Sequence, residues 1–566
     1  MRDWVRGESP VVEGPRGQIA HPRAFEQSER LERRLYTVRP GVWGLVGNGL
    51  SNQTFVEGPE GIIAIDTGES VEEMRSALDE LASVTDRPVV AVVYTHFHYV
   101  SGTREVLDRF GNDLPVHGHE RISVNLSRVT SEIAPSYMRG IVQQFALRLP
   151  LDGPDGQVNV GLGLHYRNPD HAPFTPGHVP VTLPWRGGER LTIAGLELHV
   201  HHAPSDSDDS VTLWFPGLDL CVQNIVWPLV FNVYAIRGEE YRDPMVLLPG
   251  IDHVLSLNAE HLVCTHGPPL SGRDEVRRRT TRYRDSIQLM WDQTVRLANR
   301  GRSMDEIAHM VRLPENSDDD YYTTEYYGLV EHHVRQIYTG IRGWFDDDPE
   351  HLLPLEPHER ADRLIAGFGG PDAVREVVRK AVDEHDLRWA LETASWLVKS
   401  SFATDTDRRS LADVLRAVAY RTTAANIRNW CLTRARDIDG TEPLDRLRTH
   451  RLREEQVLAM SPTSSIDILR VFVDPERAEG LDVHLAVQFE ADRIGLHLRN
   501  GVSVRTDGTG AEHMIRLTYG TWSRLLAGKA SLDECEAVGE LSIDGDATLV
   551  RRALRVFELP GLGDRS

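Results

Sequence analysis

The first half of the chain alternates short apolar runs with helical patterns. Residues 61–65 read GIIAI and predict a buried strand that ends at Asp66. A capping box over residues 70–73 then opens a helix with a single apolar stripe. A second apolar run over residues 89–94 leads directly into Thr95-His96-Phe97-His98. The alternation predicts a layered α/β domain whose strands carry polar residues at their ends.

The pattern changes twice further along the chain. From about residue 277 it becomes helical, and beyond about residue 440 apolar and polar residues alternate at 481–489 and 494–498. Such alternation predicts two adjacent half-buried strands. A length of 566 residues is too great for one core and indicates about three domains. We therefore expect domains over residues 1–276, 277–415 and 440–566.

Composition narrows the class of protein. The net charge of −22 and the pI near 5.5 argue against nucleic acid or an anionic membrane as a partner, because both need clustered basic residues. Four scattered cysteines fit neither a disulfide framework nor a thiolate zinc site. The first thirty residues hold no signal-like apolar stretch, and no segment offers ~18 consecutive apolar residues. We expect a soluble cytoplasmic protein.

The candidate metal-binding residues lie where apolar runs end. His96 and His98 are spaced i and i+2 just past a predicted strand, so both side chains can reach one metal ion. Asp66, Asp206 and His266 each follow or lie near the end of another apolar run. The carboxyl ends of neighbouring strands are the usual place for chemistry in α/β folds. The pattern predicts a metal site.

The order of these residues resembles that of the metallo-β-lactamase superfamily, whose signature is His-x-His-x-Asp-His. Here the sequence reads His96-Phe97-His98-Tyr99-Val100-Ser101-Gly102, which lacks the Asp-His pair after Tyr99. Residues 51–58, 156–163 and 283–296 are similar to segments of the alkylsulfatase branch. That resemblance implies a metallo-β-lactamase αββα sandwich, an all-α dimerisation domain and an α+β sterol-carrier-like domain, in the three ranges given above.

The resemblance also implies roles for individual residues. His96, His98 and His266 match zinc ligands of the family, and Asp206 stands in place of a glutamate ligand. The glutamate that bridges two zinc ions in the family falls near Asn224, a neutral amide. Arg237 matches an arginine that contacts the sulfate group, and a planar guanidinium suits that task. We therefore expect His96, His98, Asp206 and His266 at the metal, and catalytic roles for His266 and Arg237.

Loss of the Asp-His pair and the bridging carboxylate predicts one zinc ion rather than two. Two histidines and a carboxylate also resemble the triad that holds non-haem iron(II), so iron is the alternative. Three hypotheses follow: a one-metal hydrolase of a sulfate ester, a redirected mononuclear iron enzyme, and an inactive relative that binds a ligand. The resemblance implies a small anionic substrate with an alkyl chain, and a homodimer. Tyr99 is expected to fill the space of the second metal.

Overall fold

The computed structural model of the chain describes residues 9–129, 132–229, 232–314, 317 and 319–563. It divides into one compact unit over residues 1–129 and 137–444, and a second over 130–136 and 445–566. The strands within the described residues are β1 Val12–Glu13, β2 Ile19–Ala20, β3 Arg34–Arg39, β4 Val42–Val46, β5 Gln53–Gly58, β6 Gly61–Ile65, β7 Val89–Val93, β8 Val116–His119, β9 Leu183–Trp185, β10 Arg190–Ile193, β11 Leu196–His202, β12 Val211–Phe215, β13 Leu220–Gln223, β14 His261–Cys264, β15 Leu270–Ser271, β16 Asp482–Gln488, β17 Arg493–Arg499, β18 Val502–Thr506, β19 His513–Leu517 and β20 Leu541–Asp544.

The α-helices alternate with these strands in the first half of the chain and dominate the middle. Those within the described residues are α1 Pro22–Arg30, α2 Val71–Leu81, α3 Thr103–Phe110, α4 Ile122–Val129, α5 Ala134–Gln144, α6 Pro244–Ser256, α7 Arg273–Ala298, α8 Met304–Met310, α9 Val330–Arg342, α10 Pro349–Leu352, α11 Pro357–Gly367, α12 Pro371–Asp383, α13 Leu387–Lys399, α14 Asp405–Arg421, α15 Ala425–Ile438, α16 Glu454–Leu458, α17 Pro462–Asp467, α18 Tyr519–Leu526, α19 Leu532–Ala537 and α20 Ala547–Leu554.

Two sheets form the centre of the first unit. One has seven strands in the order β3 to β9, and the other has six in the order β10 to β15. A shared apolar cluster joins them, because Ile63 and Val93 of the first sheet belong to the same buried group as Leu213 and Val222 of the second. Burial of these aliphatic faces against each other drives the sheets together. The sheets thus form the inner layers of a sandwich.

Helices cover both outer faces of that sandwich. Helices α2 and α3 contribute Met74 and Val106 to a cluster with the outward residues of the seven-stranded sheet. On the other side, α6 and α7 contribute Ile251 and Ile287 to a cluster that includes Leu262 of β14. The arrangement is the predicted metallo-β-lactamase αββα sandwich, and the expected fold class is confirmed.

The middle of the chain is helical, as the sequence predicts. Helices α11 to α15 pack around a separate apolar cluster that includes Leu397, Leu415 and Leu432. Helices α8 and α9 instead share the cluster of α6 and α7. The predicted domain boundaries at 276/277 and between 415 and 440 stay predictions. Residues 1–8 of the predicted first domain and 564–566 of the predicted third domain lie outside the described part of the chain.

The second unit has its own core. Its sheet has five strands in the order β18-β17-β16-β19-β20, and β16 pairs antiparallel with β17 over residues 482–499, as the alternating pattern predicts. Trp522 of α18 is fully buried and donates a hydrogen bond from Nε1 to Ser465 Oγ at 3.1 Å. Within the described residues, none of the helices combines the length and apolar character needed to cross a bilayer. The cytoplasmic location stays a prediction.

Candidate metal centre and pocket

Asp66 orients His96 through Thr95. The Asp66 carboxylate accepts hydrogen bonds from the Thr95 backbone N–H at 2.8 Å and from the Thr95 hydroxyl at 2.7 Å. Because that hydroxyl donates its proton to Asp66, it accepts a hydrogen bond from His96 Nδ1 at 2.9 Å. The proton therefore sits on Nδ1, and the lone pair on His96 Nε2 is available to a metal.

His96, His98 and Asp206 offer donor atoms that all lie within 4.8 Å of one another. His98 Nδ1 lies 2.6 Å from Asp206 Oδ2, and His96 Nε2 lies 3.6 Å from the same oxygen. His96 is fully buried, and its Nε2 has no hydrogen-bond partner among the described residues. Such an orphaned nitrogen beside a carboxylate and a second imidazole fits a divalent ion with nitrogen and oxygen ligands.

A chain of buried charges adjoins this group. Arg242 forms ion pairs with both Asp206 and Glu239, and Arg237 pairs with Glu239 from the other side. Burial raises the pKa of Asp206, but Arg242 and His98 outweigh it and hold that pKa well below its ordinary value. Arg237 and Arg242 likewise overcome burial and lower the pKa of Glu239. Both carboxylates are therefore ionised at neutral pH.

His266 lies near the three-residue group but is not part of it. Its Nδ1 lies 3.0 Å from the Leu50 carbonyl oxygen, so Nδ1 carries the proton and Nε2 is an acceptor. His266 Nε2 faces the hydroxyl of Tyr99 at 3.4 Å, and burial lowers the pKa of His266 to about 3. The structure thus brings three of the four predicted ligands together and sets the fourth against a buried phenol.

Asn224 belongs to the scaffold. It is 1% exposed, and its side chain accepts a hydrogen bond from Trp227 Nε1 at 3.2 Å and reaches Ser210 Oγ at 3.5 Å. The amide makes both contacts because its oxygen accepts and its nitrogen donates. The neutral residue is thus matched to its surroundings.

A cavity of about 50 Å³ lies beside the metal-ligating group. Its polar lining comprises Glu69, His98, Asp206, Arg237 and Arg242. Its aromatic lining comprises Tyr99, Tyr137, Phe145, Tyr166, Trp227 and Tyr327. Aromatic and aliphatic side chains with a few converging polar groups are the lining typical of a small-molecule site.

Several of these residues escape prediction from the sequence. Glu239 and Arg242 follow Arg237 in one charged segment, so the signal was present in the spacing of that segment. Glu69 directly follows the strand end at Asp66, which is also a visible signal. Tyr327, by contrast, comes from the segment between α8 and α9, and its hydroxyl accepts a hydrogen bond from Arg237 Nη1 at 3.1 Å. No local sequence pattern predicts that long-range contact.

Comparison with known proteins identifies the family to which the chain is related. Family models match three stretches: Metallo-beta-lactamase superfamily over residues 46–222, Alkyl sulfatase dimerisation over 303–440 and Alkyl sulfatase C-terminal over 452–561. A linear primary-alkylsulfatase from Pseudomonas sp. (strain ATCC 19151) is 31% identical over 525 residues, which cover 89% of this chain and 98% of that protein. The chain belongs to the alkylsulfatase family. The predicted resemblance is confirmed.

Other alkylsulfatases align over similar lengths. An (R)-specific secondary-alkylsulfatase from Pseudomonas sp. is 29% identical over 90% of this chain and 79% of its own length. The solved structure of the stereoselective inverting sec-alkylsulfatase Pisa1 from Pseudomonas sp. superposes with a TM-score of 0.81 at 26% identity, covering 97% of this chain and 91% of that one. The similarity to this alkylsulfatase therefore extends across all the predicted domains.

Proposed function

We propose that the chain hydrolyses sulfate esters of alkyl alcohols with one zinc ion held by His96, His98 and Asp206. The observation that carries the proposal is the buried His96 Nε2, which faces Asp206 beside the cavity and has no hydrogen-bond partner in the described part of the chain. A zinc ion bound there would polarise the ester and lower the pKa of an attacking water molecule. Family membership supports the choice of a sulfate ester.

Arg237 is the proposed binding residue for the sulfate group. Its guanidinium lines the cavity and is held by the Tyr327 hydroxyl and by Glu239. The side chain is only 7% exposed, so a hydrogen bond to a sulfate oxygen there is shielded from water. A bound sulfate would share Arg237 with Glu239, which keeps Arg242 as its second partner.

The aromatic lining is the proposed site for the start of the alkyl chain. Phe145 lies under Arg237, with the guanidinium carbon 5.3 Å from its ring centroid, and it stacks on Tyr166 at 4.8 Å. An alkyl group that covers such rings loses contact with water, which favours binding. We propose that His266 is a neutral hydrogen-bond acceptor at the back of the site. We also propose that the chain assembles as a homodimer, in line with the matched dimerisation model.

Iron(II) is the second candidate metal, because two histidines and one carboxylate also suit a non-haem iron site. The experiment that separates zinc-dependent hydrolysis from an oxygen-dependent iron reaction measures sulfate release from decyl sulfate under nitrogen. Hydrolysis needs no oxygen, whereas an oxygen-dependent iron enzyme stops when oxygen is removed. An inactive ligand-binding relative releases no sulfate under either gas.

The same assay tests Arg237. Arg237→Gln should lower kcat/KM by about 10- to 100-fold, because one charge-assisted hydrogen bond contributes roughly 1.5–3 kcal/mol. Glu239 keeps its pairing with Arg242, so the variant should still fold and keep its zinc, with a lower melting temperature because one partner of a buried ion pair is lost. Arg186→Gln is the matched control, since Arg186 is 81% exposed and pairs with the exposed Glu120. Equal activity of both variants would reject the proposed role of Arg237.

A further inference from the structure

Two carboxyl groups line the cavity within the described residues, and their surroundings differ sharply. Asp206 is surrounded by Arg242, His98 and His96. Glu69 lies in the same cavity, yet its Oε2 is buried with no hydrogen-bond partner among the described residues. Two carboxyl groups with opposite environments in one pocket are the arrangement that separates an acid from an ionised partner.

The backbone fixes Glu69 against the metal-ligating segment. Thr67 N–H donates to the Tyr99 carbonyl oxygen at 2.8 Å, and Ser101 N–H donates to the Gly68 carbonyl oxygen at 3.0 Å. Gly68 has a φ of +73°, a conformation that glycine adopts readily and that turns the chain into α2. These contacts tie the loop that bears Glu69 to the loop that bears His96 and His98.

The groups facing Glu69 are of both signs. Glu73 of α2 faces it as a second carboxyl, Arg167 and Arg237 face it as cations, and Tyr99 and Tyr166 face it as phenols. Burial is the main cause that raises the pKa of Glu69 well above its ordinary value; Glu73 adds to the rise, and the two arginines oppose it. These surroundings favour the protonated form of the Glu69 carboxyl.

We propose that Glu69 is the general acid of this pocket and donates its carboxyl proton to the bridging oxygen of a bound sulfate ester. This inference rests on the proposed function. A water molecule forms the new bond to sulfur or carbon, one bond of the bridging oxygen breaks, and the electron pair of that bond stays on the oxygen. The oxygen takes the proton of Glu69, and the proton lost by the water returns to the Glu69 carboxylate through solvent. The products are the alcohol and hydrogen sulfate.

Two measurements test the inference. The first is the pH profile of decyl sulfate hydrolysis by the wild type, by Glu69→Gln and by Glu73→Gln. A general acid contributes about 10²- to 10⁴-fold, so Glu69→Gln should lose at least 100-fold in kcat and should lose the fall in rate at high pH. Glu73→Gln is the matched control, because Glu73 is a neighbouring buried carboxyl that does not line the cavity. It should keep turnover, and its alkaline limb should remain but move to lower pH, because Glu73 adds to the rise in the pKa of Glu69.

The second measurement is infrared difference spectroscopy of the protonated carboxyl band in the metal-free protein near pH 8.5. Burial raises the pKa of Glu73 to about 7, so Glu73 is mostly ionised at that pH, whereas a general acid at Glu69 is required to keep its proton. The band should be present in the wild type and in Glu73→Gln and absent from Glu69→Gln. This readout requires neither metal nor turnover.

The outcomes separate the inference from the function on which it rests. A wild type that releases no sulfate overturns the proposed function before any variant is compared. An active wild type with full activity and an unchanged pH profile in Glu69→Gln overturns the role of Glu69 alone. Lost activity without a protonated carboxyl band in the wild type also overturns it, because Glu69 would then be an ionised structural group.

Discussion

Arg242 holds two buried carboxylates together, and replacing it should destabilise the metal-free protein by a predictable amount. Its side chain is 3% exposed, and it pairs with Asp206 at 5% and Glu239 at 12% exposure. Breaking a buried ion pair by removing one partner costs about 3–5 kcal/mol. In Arg242→Met, Asp206 keeps His98 and Glu239 keeps Arg237, so we take the lower end, about 3 kcal/mol.

That free energy converts into a melting temperature. The first unit contains roughly 440 residues, and an unfolding entropy of about 2.1 cal/mol/K per residue gives about 0.9 kcal/mol/K. A loss of about 3 kcal/mol then lowers the melting temperature of this unit by about 3 °C. The measurement is calorimetry at pH 7 with a chelator present, which removes any contribution of bound metal.

The controls make the prediction specific to buried charge. Arg242→Met combined with Asp206→Asn should recover part of the loss, since Asp206 is the carboxylate left without an arginine, whereas Glu239 keeps Arg237. Arg186→Met removes an exposed arginine and should leave the melting temperature unchanged. An unchanged melting temperature in Arg242→Met, or a double variant less stable than the single one, would refute the view that Arg242 balances two buried carboxylates.

Three further predictions follow from other parts of the structure. Asp66→Asn should weaken zinc binding by about 10- to 100-fold, because the carboxylate orients His96 through its hydrogen bonds to the neighbouring threonine; the measurement is competition with a zinc indicator. Trp522→Ala should destabilise the second unit by about 3–5 kcal/mol, seen in its calorimetric transition, because it empties a fully buried site. Burial lowers the pKa of His333 to about 3, so the folded protein should become less stable as the pH falls below about 6.5.

The sign for His333 follows from its two pKa values. The unfolded chain takes up a proton near pH 6.5, while the folded protein resists it, so the penalty at pH 5 is about 2 kcal/mol. His333→Asn should flatten this dependence in pH-dependent melting, and the same slope in the variant would contradict it. Unchanged zinc affinity in Asp66→Asn would contradict the orientation of His96. Zinc content should not change in Trp522→Ala, and a changed content would contradict the separate core of the second unit.

Local sequence patterns predict the parts of the fold that local physics determines. The strand at 61–65 ends before Asp66, and α2 begins after the Ser70 cap, because apolar period and capping are readable from neighbouring residues. The alternating pattern after residue 480 likewise corresponds to β16 and β17. The sandwich itself follows only with the help of the family resemblance, since sheet pairing joins residues far apart in the chain.

The site is less accessible to sequence reasoning for the same reason. His96 and His98 are recognisable because they are adjacent in sequence, and Asp206 because it follows an apolar run. The contact of Tyr327 with Arg237 joins residues 90 positions apart, and no periodicity encodes it. The double pairing of Arg242 depends on how its loop folds back on Asp206, which spacing alone does not determine.

The one-metal site is tested most directly by the metal content of the chain after reconstitution with zinc, measured by elemental analysis. We predict one zinc ion per chain in the wild type and almost none in His96→Ala or His98→Ala. His253→Ala is the control, because His253 stacks on His201 outside the ligating group, and it should keep its zinc. Two zinc ions per chain, or no zinc in the wild type, would contradict the one-metal site.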